Sequence, residues 1–185
     1  MLFESMLDYR GYELVPSTKR GCKGQTETRV EQACRNCTNI KNRQTKARDA
    51  ALETIEHIIE EKKLLDNKIL AIKLDSFSAD RNLTGLIANQ LMAKYQRPVL
   101  LLNKTADGWE GSGRGYDKSK FDNLREFLKE SDLVMYAEGH ANALGVGITD
   151  QNFSTFIDYS NQVLANFDFT PCYKVDFIFY GDDFR

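Results

Sequence analysis

The chain has 185 residues, 42% hydrophobic and 28% charged, with a formal net charge of −2. That suits one well-cored globular domain, or a domain with an appendage. No apolar run approaches the ~20 residues of a membrane-spanning helix. Glu4 and Asp8 stand where a signal peptide would be basic. The four cysteines, Cys22, Cys34, Cys37 and Cys172, are thin use for this length and suggest a reducing, cytoplasmic setting. Charge is unevenly spread. From Ser17 to Arg48 the basic residues Lys19, Arg20, Lys23, Arg29, Arg35, Lys41, Arg43, Lys46 and Arg48 face only Glu27 and Glu31. Such a segment suits either a polyanion or a solvated helix face.

In chain order, residues 1–10 suit a short amphipathic helix. "YELVPSTKRGCKG" then reads as a loop, broken by Pro16, Gly21 and Gly24. No Gly or Pro occurs from Gln25 to Thr84. Val30, Ala33, Cys37, Ile40, Gln44, Ala47, Ala51, Ile55 and Ile58 recur at helical steps, predicting one long helix from about Glu27 to about Leu64. Thr26 or Thr28 caps its start, with Glu31 completing a capping box on Thr28. A strand (68–75), a helix (81–96) and a strand (99–103) follow. A turn at Asp107-Gly108 leads to a strand (109–115), then a helix (119–130). Two apolar runs bracket His140. A helix from 150, capped by Asp150, and a strand over 173–180 complete the pattern. The predicted class is α/β: a mixed β-sheet flanked by helices, preceded by a long connector helix. The chain starts and stops as a fragment of a longer protein would.

Two short motifs carry chemistry. In "GSGRG" (111–115) glycines let backbone curve round an anion, and Arg114 offers a forked donor. The spacing fits neither a dinucleotide fingerprint nor a P-loop, and a Gly-rich strand kink is the alternative. In "EGHANALG" His140 sits in a Gly/Ala frame with room for a ligand near backbone. Gly145 and Gly147 beyond it suit close strand packing. Ser112 and His140 lack the third member of a nucleophilic triad. Cys34-x-x-Cys37 has no second pair, and Asp75, Asp80 and Asp107 do not cluster with histidines, so no metal site is visible.

The ordered set resembles the C-terminal domain of the DHH phosphoesterase superfamily, above all the RecJ-like single-strand exonucleases. Its pieces are a strand leading to the Gly85–Ala88 helix, Arg97-Pro98 before the next strand, "GSGRG", a helix, and "EGHANALG". The likeness runs from roughly Val30 to Ile148. Some phage and bacterial members share the "PSTKRG" segment. This chain departs from the pattern at Glu138, where the family has glycine, and at Leu144 and Gly115.

The resemblance implies three regions: 1–26, the end of an N-terminal lobe with a basic loop; 27–66, the connector helix; and 67–185, a DHH-associated substrate-binding domain. It implies that Ser112, Gly113, Arg114, Gly139 and His140 bind substrate phosphate, with His140 supporting the transition state. Lys19, Arg20, Lys23, Lys41 and Arg43 would guide the strand. The Asp-His-His motif is absent, so Mn²⁺ (or Mg²⁺) is expected in a missing N-terminal lobe and no cofactor in this chain. The fragment alone is expected to be inactive. Its parent is expected to be a Mn-dependent 5′→3′ single-stranded DNA exonuclease of DNA repair and recombination. Expected partners are single-stranded nucleic acid, the missing lobe and, weakly, a second copy through the connector helix; no membrane is expected. Two alternatives stay open: the substrate lobe of an oligonucleotide or cyclic-dinucleotide phosphodiesterase, and a non-catalytic interaction module.

Overall fold

A computed structural model describes residues 9–74, 83–173, 175–178 and 180. The chain divides into two compact units, Met1–Ala50 and Ala51–Arg185.

In the first unit, part of the predicted loop is a hairpin. Strand β1 (Leu14–Pro16) pairs antiparallel with β2 (Thr26–Thr28), and the Ser17 amide closes the loop on the Gln25 carbonyl at 2.8 Å. Helix α1 (Arg29–Glu61) follows at once. Its start is the capping box read from sequence. The Thr28 amide donates to Glu31 Oε2 at 2.9 Å, and the Glu31 amide donates to Thr28 Oγ1 at 3.2 Å. Such a cap contributes about 1 kcal/mol. The predicted apolar stripe is less buried than its spacing suggested. Ala33 is buried, but Cys37, Ile40, Gln44 and Ala47 are exposed, and burial returns only at Ala51. Cys37, Gln44 and Ala47 are small or polar, so the stripe has little apolar area to bury, with Ile40 its one large side chain there.

The second unit is built on a five-stranded sheet. Its strands are β3 (Leu70–Leu74), β4 (Val99–Lys104), β5 (Trp109–Arg114), β6 (Tyr136–His140) and β7 (Ala143–Ile148), in the order β3-β4-β5-β7-β6. Only β3 and β4 are parallel, joined through α2 (Thr84–Tyr95); the other neighbours are antiparallel. The sheet is therefore mixed, as the sequence predicted. One face packs Ala51, Ile55 and Ile59 of α1 and Leu83, Ile87 and Leu91 of the α2 region against Leu70, Ile72, Val99 and Leu101. The other packs Leu100, Leu102, Leu144 and Val146 against α3 (Leu124–Glu130) and α4 (Asp150–Val163) through Phe127, Leu128 and Phe156. Strand β4 is covered on both faces, which explains its unbroken apolar run.

Several boundaries differ from expectation. Helix α3 starts at Leu124 rather than 119, because the Asn123 side chain caps it by accepting from the Glu126 amide at 3.0 Å. Thr149, not Asp150, caps α4. The Asp150 carboxylate is taken instead by the Lys104 ammonium and the Trp109 indole N–H. No strand forms over the described residues of 173–180, where Tyr173 is 99% exposed. Apolar alternation there meets no described sheet edge to complete its ladder. The predicted N-terminal helix falls largely on residues 1–8, outside the described part; Tyr9–Tyr12 is a 3₁₀ turn. Asp75 and Asp80 also lie outside it.

Candidate nucleic-acid interface

Residues directly opposite one another in a sheet point to the same face. The register therefore sorts the candidates into three rows. Val99, Arg114, Ala143 and His140 form the first. Leu101, Ser112, Gly145 and Glu138 form the second. Asn103, Glu110, Gly147 and Tyr136 form the third. Along the first two rows the chemistry changes from apolar on β4 to polar on β5 and β6, and the third row is polar from Asn103 onward. Helices α1 and α2 cover the apolar end. Glu138, Gly139 and His140 at the other end are exposed. Between them β7 contributes only Ala143, Gly145 and Gly147. A Cβ placed at Gly145 would meet nothing nearer than 3.9 Å, so this glycine leaves open floor rather than permitting close strand packing. At Gly147 a Cβ would fall 2.5 Å from a ring carbon of Tyr136, so that ring lies over the glycine.

Ser112 and Arg114 are positioned by the first turn of α2. The Thr84 and Ser112 hydroxyl oxygens lie 2.9 Å apart. Gly85 supplies the space for Arg114: an added Cβ would stand 2.6 Å from its Nη2. Arg114 Nη1 donates to the Gly113 carbonyl at 2.7 Å. Among the described residues no carboxylate pairs with this guanidinium. Burial pushes its pKa down from the usual value, but an arginine stays charged at any working pH. The result is a half-buried cation that no carboxylate among the described residues neutralises, beside the N-terminal turn of a helix, an arrangement that favours anions.

Gly113 points to the opposite face, packed against Leu100 and Leu144. Gly139 has φ 131°, a conformation that favours glycine, and a Cβ there would stand 2.8 Å from the Ala143 carbonyl oxygen. Its own carbonyl accepts from Arg125 Nη1 at 2.7 Å. The β6–β7 turn is held by Asn142. Its Oδ1 accepts from the Leu124 amide at 3.2 Å, and its carbonyl accepts from the Gly115 amide at 3.0 Å. The turn that presents His140 is thus tied to both the end of β5 and the start of α3. Glu138 lies 3.7 Å from the Lys129 ammonium.

The proposed guiding residues belong to the first unit. Lys19 sits 3.7 Å from Glu27. Arg20, Lys23, Lys41 and Arg43 are exposed and form no ion pair among the described residues. Glu27 is the hub of this unit. Arg35 clamps it with both guanidinium nitrogens, Nη2 at 2.6 Å from Oε1, and the Thr18 amide donates to it at 3.2 Å. The Arg35 hydrogen bonds hold its carboxyl pKa at about 2.

Sequence reasoning missed Thr84, Glu110, Tyr136 and Asn142. Only strand register brings Glu110 and Tyr136 to the face of Ser112, and no motif marks them. Among the described residues there is no group of three His, Cys, Asp or Glu placed to hold a metal. No helix among them is long and apolar enough to cross a membrane.

No protein-family model matches the chain. It is 40% identical over 148 residues to YorK of Bacillus subtilis (strain 168), provisionally named an SPbeta prophage-derived single-strand DNA-specific exonuclease. The match covers 76% of this chain and 25% of YorK, and the YorK protein of Bacillus phage SPbeta matches equally. The chain therefore spans a quarter of the length of these relatives. RecJ from Thermus thermophilus, in complex with Mg²⁺, shares the fold at TM-score 0.56 and 19% identity, over 80% of this chain and 22% of RecJ. A manganese-bound exonuclease RecJ does so at TM-score 0.50 and 20% identity, over 76% of this chain and 33% of that one. Over the part that matches, the chain is similar in sequence to the phage exonuclease relatives and similar in fold to the RecJ exonucleases.

Proposed function

We propose that this chain is the nucleic-acid-binding lobe of a RecJ-like 5′→3′ single-strand DNA exonuclease. The observation that carries this reading is the shared face of Ser112, Arg114 and His140 beside the first turn of α2. Arg114 and the Ser112 hydroxyl hold backbone phosphate. His140, exposed at the end of β6, donates a hydrogen bond to phosphate oxygens near the scissile bond, where charge develops. Lys19, Arg20, Lys23, Lys41 and Arg43 of the first unit attract the strand. In this reading the activating ions are held by another lobe, and no step here passes through them.

Arg114→Ala tests the reading. It is expected to weaken binding of single-stranded DNA while leaving the melting curve intact. One lost phosphate contact reduces the log–log salt slope by ~0.7. Unchanged affinity and slope, with a normal melting curve, would return Arg114 to a structural role.

A further inference from the structure

The third row of the open face does different chemistry from the first two. Glu110, Asn103 and Tyr136 line a cleft of about 230 Å³, together with Thr84, Gly111 and Ser112. The Tyr136 ring lies over Gly147 and is 37% exposed, forming an aromatic wall. The Glu110 carboxylate lines the same cleft and offers acceptor lone pairs to it. An acidic side chain here does not serve phosphate. Glu110 and Arg114 lie on the same strand four residues apart, ~13 Å at strand spacing. That separation is on the scale of one extended nucleotide. A phosphate held at Arg114 therefore leaves its base within reach of the cleft.

We propose that this cleft is a nucleobase subsite that favours bases bearing an exocyclic amino group, with Glu110 as the acceptor and Tyr136 as the packing wall. The inference rests on the phosphate reading of Ser112 and Arg114. The amino groups of cytosine, adenine and guanine donate to a carboxylate. Thymine offers a single N–H between two carbonyl oxygens, whose lone pairs face the carboxylate unfavourably. Aromatic packing accepts any base, so discrimination falls to Glu110. Cleft space, a wall and one charged acceptor are the recurrent parts of small-ligand sites.

The test measures binding of fluorescein-labelled dC and dT 12-mers to the full chain at fixed salt and pH 8. The expected result is dC bound about three- to tenfold more tightly than dT, the effect of one added hydrogen bond. Glu110→Gln, whose amide both donates and accepts, should bring the ratio near one. Arg114→Ala should weaken both oligonucleotides and keep the ratio. Should E110Q melt early, Glu110→Asp replaces it: the shorter acid withdraws from the base and must also lose the preference. Equal wild-type affinities, both lowered by Arg114→Ala, would overturn the base subsite and leave the phosphate reading standing. A preference that survives both Glu110 variants would overturn its assignment to Glu110. No binding of either 12-mer would overturn the phosphate reading and the subsite with it.

Discussion

Gly85 shows how much one residue can decide on this face. It lies in the first turn of α2, where glycine costs helix stability relative to alanine by roughly 0.8–1 kcal/mol in a helix interior. It is tolerated because the Arg114 guanidinium occupies the space of its missing side chain. Gly85→Ala therefore separates stability from binding. The melting temperature should hold or rise, since the flexible end of Arg114 can move aside. Affinity for single-stranded DNA should fall severalfold, since the guanidinium leaves its position. Titration and thermal melting of one preparation check both. Unchanged affinity would mean that the place of Arg114 does not matter to binding. Glu138 acts in the opposite sense: it sets a negative charge in the same row as Ser112, partly answered by Lys129.

At the level of elements, the hairpin of the first unit depends on a single carboxylate. Glu27 gathers Arg35, Thr18, Gln32 and Lys19 around itself. Its pKa is lowered from 4.5 to about 2. A depressed folded-state value means the carboxylate contributes stability above pH 4.5, which is lost as the pH falls through about 2. The Thr18 amide, which donates to Glu27, should lose protection from hydrogen exchange across that window. Glu27→Gln should already show reduced protection at about pH 5. Protection independent of both pH and substitution would mean that the loop is held by its backbone alone. Helix α1, which follows, carries Arg35, Lys41, Arg43, Lys46 and Arg48 up to position 48, and Asp49, Glu53, Glu56, Glu60 and Glu61 beyond. Nearly every residue from Asn36 to Ala50 is exposed. A helix that is polar on all sides at that length commonly bridges domains.

For the whole molecule, the division at Ala50 and Ala51 makes a direct forecast. The second unit owns both core clusters, and the α1 residues it uses begin at Ala51. A chain starting at Ala51 should fold, with a melting temperature within about 4–8 °C of the full chain, the shift that ~1 kcal/mol produces in a small domain. It should keep the Ser112 and Arg114 phosphate contact but bind single-stranded DNA more weakly and with a shallower salt slope, having lost Lys19, Arg20, Lys23, Lys41 and Arg43. Sedimentation should show weak self-association in the full chain and none in the truncated one. Loss of folding on truncation would show that the second unit needs the first. An unchanged salt slope would remove the five basic residues from the path of the strand.

Much of this architecture is local and was therefore legible in the amino-acid order. Helical steps and a capping box marked α1, a continuous apolar run marked β4, and Gly-Ser-Gly-Arg and Gly-His marked the two strands of the candidate site. These signals arise from side-chain period and backbone freedom within a few residues. What the order of residues could not decide was lateral pairing. Glu110 and Tyr136 are 26 positions apart and meet only because β7 slips between β5 and β6 in one register. A shift of one residue would have turned Tyr136 to the other face. The same limit explains the errors. The apolar alternation of 173–180 reads as a strand, yet the described residues of that stretch form none, because a strand exists only where an edge completes its hydrogen bonds. Asp150 has the chemistry of a helix cap, yet Lys104 and Trp109, brought from the neighbouring strands, take its carboxylate first.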